Sequence, residues 1–247
     1  MKISVALFQK KSDGVFDLDK IERMVGKGFD FVCLPEYCFI PDEAKSQLET
    51  AKNLKRNLEI LANLSKRLET TLIGGSMVEE ENGTFYNVGY IFEEGRVIGK
   101  YRKVNLYHRE AGKGISAGNE YTVFEVKGIR VGILICADVL FPESYRKLAE
   151  LNPDIVFVPT TSPYRGDDTI ESKEKRDNDY FVNGAKTTSA FVAKCCAVGI
   201  LLGGRLQGRS LFAAPLGIIK RVPLDKEQEE LVLTAELDLG ELRPNKL

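Results

Sequence analysis

Histidine and tryptophan are scarce: the 247 residues include one histidine, His108, and no tryptophan. A Ser-His or Cys-His catalytic pair would have to use that single histidine, so we expect the base of any nucleophilic enzyme to be another group. His108 also has no CxxC or HxxxH companion, which leaves a zinc site without support. The sequence therefore predicts chemistry that depends on neither histidine nor a metal.

An excess of charge of one sign is missing, and so are long apolar runs. The chain has 35 basic and 36 acidic residues, so it offers no basic surface for a nucleic-acid backbone. No segment approaches the roughly 18 apolar residues of a membrane span. The opening Met1–Gln9 is too short for a signal peptide and has no cleavage region. We expect a cytoplasmic protein with neither a nucleic-acid nor a membrane partner.

The five cysteines are odd in number and lack the spacing of a disulfide framework, which predicts free thiols. Cys33, Cys195 and Cys196 lie in apolar runs and are expected to be small buried side chains. Cys38 is less clearly assigned. Cys136 differs, because it ends an apolar run and is soon followed by Phe141-Pro142, where proline can open a helix.

Strand-like and helix-like segments alternate along the chain, which favours a single α/β domain over residues 1–247. The segment 160–179 is rich in Thr, Ser, Pro, Gly and charge, and is predicted to be a mobile or substrate-facing loop. Strands are predicted at 2–8, 30–34, 71–78, 85–92, 96–100, 121–135 (a hairpin), 154–159, 191–198, 208–214, 217–222 and 229–237, and helices at 18–27, 43–69, 142–150 and 179–190.

Three short segments carry the chemistry: Glu36 after Leu34-Pro35, Lys103 after Tyr101-Arg102, and Cys136 at a strand-to-helix elbow. Taken singly, Glu36 is explained as a rim carboxylate or as a helix-start residue after Pro35, and Lys103 as part of a solvated basic turn. Taken together, they supply what a thiol nucleophile needs. A carboxylate can shuttle protons, and an ammonium can stabilise a thiolate or an oxyanion.

These segments resemble the nitrilase, or carbon–nitrogen hydrolase, superfamily. The resemblance spans the chain and rests on several ordered motifs: Ala6-Leu7-Phe8-Gln9, Leu34-Pro35-Glu36, Tyr101-Arg102-Lys103-Val104-Asn105-Leu106, the CxDxxFPE pattern from Cys136 to Glu143, and Gly208-Arg209-Ser210 followed by Pro215-Leu216-Gly217.

The resemblance implies a four-layer αββα sandwich that assembles as a homodimer or a higher homo-oligomer. It implies Cys136 as nucleophile and Glu36 as general base, with Lys103 and the backbone N–H of Ala137 stabilising the tetrahedral intermediate. A second glutamate is expected to support the site, with Glu110 matching the spacing best and Glu120 as the alternative. No metal or organic cofactor enters such a mechanism.

The residues that line the surrounding pocket are less well defined by the sequence than Glu36, Lys103 and Cys136. Candidate substrate-lining residues are Tyr37, His108, Thr160, Thr161 and Ser162, although His108 is equally well explained as a surface residue.

The two residues that follow Cys136 indicate the substrate class. Relatives that hydrolyse nitriles tend to have Trp-Glu after the cysteine, whereas this chain has Ala137-Asp138. That difference predicts a thiol-dependent hydrolase of a small amide or N-carbamoyl compound, acting through a thioester and releasing ammonia or an amine. Nitrile hydrolysis and a catalytically silent, nitrilase-like binding module are the alternatives. A redox role for the adjacent Cys195-Cys196 pair is disfavoured, because such neighbours form a strained disulfide ring.

Overall fold

A computed structural model describes residues 1–245 of the chain. Two β-sheets pack face to face, and helices cover the outer face of each. This is the four-layer αββα arrangement that the family resemblance implies.

Within the described residues, short strands predominate over helices. The strands are β1 (Lys2–Gln9), β2 (Lys11–Ser12), β3 (Phe31–Cys33), β4 (Thr71–Glu81), β5 (Thr84–Glu93), β6 (Arg96–Arg102), β7 (Ile115–Ser116), β8 (Val123–Val126), β9 (Ile129–Ile133), β10 (Ile155–Thr160), β11 (Phe191–Cys196), β12 (Val198–Leu201), β13 (Gly204–Arg205), β14 (Leu211–Ala214), β15 (Gly217–Arg221) and β16 (Leu231–Asp238). The α-helices are α1 (Leu18–Val25), α2 (Leu54–Leu68), α3 (His108–Ala111), α4 (Pro142–Glu150), α5 (Ile170–Asp177) and α6 (Asn183–Thr188), with a π-helical turn at Asn178–Val182 and 3₁₀ helices at Gln47–Asn53, Cys136–Leu140, Leu224–Lys226 and Leu239–Asn245.

The two large sheets have similar topologies. The first has the order β16-β1-β3-β4-β5-β6, with β7 added beside β5, and β1, β3 and β4 run parallel at its centre. The second has the order β15-β14-β11-β10-β9-β8, and β9, β10 and β11 are its parallel centre. A small third sheet joins β2, β12 and β13, a pairing that the sequence did not predict.

The period-2 alternation of β1 explains the layers. Ile3, Val5 and Leu7 face the second sheet and join the core between the sheets. Ala6 and Phe8 point the other way, into a second core beneath α1 and α2. Both faces of the strand are therefore buried, as expected for the centre of a parallel sheet.

Helix α2 is amphipathic, and its Leu61, Leu64 and Leu68 pack on the first sheet. The predicted helix 43–69 is correct only from residue 54 onwards. The seven residues before it form the 3₁₀ helix Gln47–Asn53.

Part of the predicted loop 160–179 is helical, so that prediction is wrong for α5. Thr169 caps the start of the helix, and its hydroxyl accepts a hydrogen bond from the Ser172 N–H at 3.1 Å. Its side chains are mostly charged, and ion pairs such as Lys173 with Glu227 at 2.6 Å anchor it. A helix anchored by charges lacks the apolar periodicity that sequence patterns detect.

The ends of the central strands meet at one place. Glu36 follows β3 of the first sheet, while Cys136 and Thr161 follow β9 and β10 of the second. Carboxyl ends of parallel strands are the usual location of functional sites in α/β folds. No helix in residues 1–245 is both long and apolar enough to cross a membrane.

Candidate active site

A buried lysine forms the centre of the site. Lys103 directly follows β6 and is 1% exposed. Its Nζ donates to Glu36 Oε1 at 2.8 Å and to Glu110 Oε2 at 2.6 Å. Its backbone N–H donates to the carbonyl of Asn87 on β5, which fixes where the side chain enters. The predicted ammonium thus lies between two carboxylates.

Both oxygens of Glu36 are occupied by donors. Oε1 accepts from Lys103 and from Asn87 Nδ2 at 2.9 Å. Oε2 accepts from the N–H of Thr161 at 3.1 Å and from its hydroxyl at 2.5 Å. The carboxylate is 1% exposed, and these contacts replace the water that it loses on burial.

Glu110 accepts hydrogen bonds from four groups. Oε1 accepts from the Tyr37 hydroxyl at 2.7 Å and from Asn87 Nδ2 at 2.9 Å, and Oε2 accepts from Lys103 and from the Tyr107 N–H at 2.9 Å. Burial raises its pKa, but Lys103 and these donors outweigh that effect and lower it overall. The alternative, Glu120, is exposed at the surface.

Cys136 occupies a sharp turn between β9 and the 3₁₀ helix Cys136–Leu140. Its φ of 46° lies in the left-handed region, which a non-glycine residue adopts only at a cost. The half-buried thiol donates to the backbone carbonyl of Thr161 at 3.3 Å, and its sulfur lies 3.9 Å from the Thr161 hydroxyl. The elbow therefore presents the sulfur to the end of β10.

The electrostatics keep the thiol protonated. Burial and the negative charge of Glu36 raise the pKa of Cys136, and Lys103 offsets only part of this rise. Burial alone lowers the pKa of Lys103, but the carboxylates of Glu36 and Glu110 raise it overall, so the ammonium stays charged. A neutral thiol beside a permanent cation needs a base before it can attack.

Asp138 ties the elbow to the segment that follows Lys103. Its carboxylate accepts from the Ile135 N–H at 2.9 Å, the Asn105 N–H at 2.7 Å and the Tyr101 hydroxyl at 2.9 Å. It is fully buried, and this burial raises its pKa to about 6 against the lowering effect of those donors.

The other predicted residues are distributed unevenly around this centre. Ala137 is buried in the turn directly after Cys136. The hydroxyl of Thr160 donates to the Val158 carbonyl at 2.9 Å, and the Ser162 carbonyl accepts from the Gln207 N–H at 2.9 Å. His108 is exposed and packs against the Tyr107 ring at a centroid distance of 4.1 Å. Thr161 is the lining candidate that contacts both Glu36 and Cys136.

Asn87 is a site residue that the sequence did not predict. Its amide bridges Glu36 and Glu110, with both distances 2.9 Å, and it is fully buried. The available signal was an amide side chain within the otherwise apolar strand β5, next to the strand that delivers Lys103.

The cysteines other than Cys136 are buried free thiols, as predicted for Cys33, Cys195 and Cys196. Within residues 1–245, no group of three or more His, Cys, Asp or Glu side chains is arranged to hold a metal ion.

Comparisons with known proteins show which family the chain belongs to. The family model described as carbon-nitrogen hydrolase matches residues 18–246. The 2-oxoglutaramate amidase of Bacillus subtilis is 28% identical over 237 residues, covering 95% of this chain and 88% of its own.

Two solved structures share the fold. Nit3 of Saccharomyces cerevisiae, a member of branch 10 of the nitrilase superfamily, is 25% identical with a TM-score of 0.80, covering 99% of this chain and 93% of its own. An amidase variant from Nesterenkonia sp. AN1, with the acetamide moiety of fluoroacetamide added covalently at its active-site cysteine, is 22% identical with a TM-score of 0.79, covering 100% and 97%. The predicted superfamily, fold and hydrolase class are confirmed, and the chain belongs to the carbon-nitrogen hydrolase family.

Proposed function

We propose that this protein hydrolyses the C–N bond of a small linear amide or N-carbamoyl compound, with Cys136 as the nucleophile. The observation that carries the proposal is the buried Glu36–Lys103–Glu110 group beside a thiol on a strand-to-helix elbow. Burying two carboxylates and an ammonium is costly, and perturbed ionisable groups of this kind cluster at functional sites.

The first half of the reaction forms a thioester. Glu36 accepts the thiol proton as the sulfur attacks the amide carbon, because the raised pKa of Cys136 leaves the thiol neutral at rest. The charge that develops on the amide oxygen is stabilised by Lys103, which stays protonated, and by the backbone N–H of Ala137. Glu36 then returns the proton to the departing nitrogen, and ammonia or an amine leaves.

The second half regenerates the thiol. A water molecule attacks the thioester while Glu36 accepts its proton, and the acid product departs as the proton returns to sulfur. In this scheme Glu110 keeps Lys103 charged and directed at Glu36, since it contacts the same ammonium at 2.6 Å.

Relatives support an amide substrate. The Bacillus subtilis protein acts, by its name, on 2-oxoglutaramate, and the Nesterenkonia protein is an amidase with an active-site cysteine that accepts a covalent acetamide group. Tyr37, His108, Thr160, Thr161 and Ser162 are proposed to line the pocket.

We extend the proposal to the whole chain: one domain over residues 1–247, located in the cytoplasm and assembled as a homodimer or higher homo-oligomer. The shared core between the sheets and the free thiols support the first two points. Light scattering checks the assembly, and a monomer at micromolar concentration would contradict it.

The direct test is ammonia release from a panel of small amides, ω-amides, N-carbamoyl compounds and nitriles. Wild type should release ammonia from at least one amide or carbamoyl compound, and Cys136→Ala should reduce this to background. Activity confined to nitriles would replace the amide proposal. A wild type equal to Cys136→Ala on every compound would favour a binding module.

A further inference from the structure

Thr161 contacts both reactive groups of the proposed mechanism. Its hydroxyl lies 2.5 Å from Glu36 Oε2 and 3.9 Å from the Cys136 sulfur. Its backbone carbonyl accepts the thiol hydrogen bond at 3.3 Å, and its backbone N–H donates to Glu36 Oε2. The proposed reaction steps do not involve this hydroxyl.

The hydrogen bonds that Glu36 already accepts determine which of its two oxygens can take up the thiol proton. Oε1 of Glu36 is held by Lys103, at 2.8 Å, and by Asn87, at 2.9 Å. Oε2 accepts from the N–H and the hydroxyl of Thr161, which are neutral donors. It is the better acceptor for an incoming proton, since a proton on Oε1 would face an ammonium. The Thr161 hydroxyl already contacts Oε2 and lies 3.9 Å from the Cys136 sulfur.

We propose that the hydroxyl of Thr161 relays the thiol proton to Glu36. This inference rests on the proposed function, and it adds a reacting group to the same site. The S–H bond turns from the Thr161 carbonyl to its hydroxyl oxygen. As the S–H bond breaks and a new O–H bond forms, the original O–H bond breaks and its proton joins Oε2.

The step balances. Thr161 is neutral before and after, Glu36 becomes a neutral acid, and the electron pair left on sulfur forms the bond to the substrate carbon. The 3.9 Å separation closes when substrate fills the site, as catalytic hydrogen bonds in unliganded structures are commonly long.

A purely structural role for Thr161 predicts a different result. A carboxylate that loses one hydrogen-bond donor holds a proton more tightly. If Thr161 only held Glu36 in place, removing its hydroxyl would therefore leave thiol deprotonation as fast as in wild type, or faster. Loss of a relay instead slows every reaction that begins with the neutral thiol. The sign of the change in thiol reactivity therefore separates the two roles.

The experiment measures alkylation of Cys136 by iodoacetamide at neutral pH, by peptide mass spectrometry, together with amide turnover. Thr161→Val keeps the shape and removes the hydroxyl, and should slow both reactions about 100-fold, as expected for lost proton transfer. Thr161→Ser restores the hydroxyl and should recover both rates to within about fivefold of wild type, the range left by a shifted relay.

The control is Thr188→Val, because the Thr188 hydroxyl is buried but donates to the Gly184 carbonyl within α6, away from Glu36 and Cys136. It should leave both rates unchanged. If Thr161→Val unfolds in a thermal melt that Thr188→Val withstands, Thr161→Ala provides the same comparison with a smaller side chain.

Alkylation of Thr161→Val as fast as that of wild type would overturn the relay, and so would a Thr161→Ser variant as slow as Thr161→Val. Either result leaves the proposed hydrolase intact if wild type still releases ammonia. Conversely, a wild type without amide turnover would remove the proposed function, while alkylation would still test the relay.

Discussion

Asp138 is buried in the turn that contains Cys136, and the partners of its carboxylate all donate hydrogen bonds. Its ionised form can accept from each of them. Once protonated, one oxygen becomes a donor that faces other donors, which weakens the link between the elbow and the Lys103 segment. Because burial raises the pKa of Asp138 to about 6, this change falls within an accessible pH range.

We therefore expect kcat/KM to fall as the pH drops below about 6. Tyr101→Phe removes a donor that favours the ionised form, so the acidic limb should move upwards by about one pH unit, as expected for a hydrogen bond to a charged group. Tyr121→Phe is the matched control, because that hydroxyl bonds Asn105 and Ser144 rather than Asp138. Equal profiles for the two variants would exclude Asp138 as the titrating group.

Protonation of Asp138 should lower activity but relieve a cost to the stability of the fold. The two effects can therefore be told apart. Its folded-state pKa of about 6 exceeds the value of about 4 in an unfolded chain, so the folded state binds the proton more tightly. Its ionised form therefore destabilises the fold at neutral pH, and this cost fades as the pH falls from about 6 to about 4. Loss of activity in that interval is then not explained by Asp138-driven unfolding.

At the scale of elements, the turn between β3 and Glu36 depends on a close approach of backbone. Gly75 on β4 has a φ of +69°, and a Cβ there would lie 2.1 Å from the carbonyl oxygen of Pro35. Glu36 itself pairs with Ser76 as a parallel bridge. The position of Glu36, the proposed general base, is thus set by a neighbouring strand that can come this close only because it carries a glycine.

Gly75→Ala should displace Glu36 by roughly 1 Å and lower kcat by about 100-fold, since misplacements of this size have such effects. Gly83→Ala is the control: its φ is +78°, but a Cβ there meets nothing within 4 Å. That variant should lose about 1 kcal/mol of stability from backbone strain and keep its activity. Steady-state kinetics and urea denaturation measure the two effects, and similar kcat values for both variants would contradict the argument.

Local motifs made some elements predictable and left others hidden. The elbow at Cys136 follows from an apolar strand that ends before a proline-initiated helix, information held within about ten residues of sequence. Helix α5 gave no such signal, because charges rather than an apolar face hold it. The contact of Thr161 with Glu36 joins residues 125 positions apart, so only the packing of two sheets brings it about.

For the whole molecule, a buried ionic network joins the outer helical layer to the second sheet. Asp177, at the end of α5, is fully buried and faces Lys194 at 3.6 Å, Arg209 at 3.4 Å and Arg221 at 3.1 Å. Lys194 and Arg209 are themselves 2% and 3% exposed. Lys194 lies on β11 and Arg221 ends β15, so the network links the end of α5 to the second sheet.

Asp177→Asn should destabilise the protein by about 3 kcal/mol, because it removes the negative charge that the buried Lys194 and Arg209 both face. Asp179→Asn makes the same substitution two residues later, where Asp179 pairs with Lys175 at 2.7 Å on the surface. There the loss should be about 0.5 kcal/mol or less, the usual value of an exposed ion pair. Urea denaturation of both variants at neutral pH measures the difference. If Asp177→Asn were as stable as Asp179→Asn, the buried network would not be what holds α5 on the sheet.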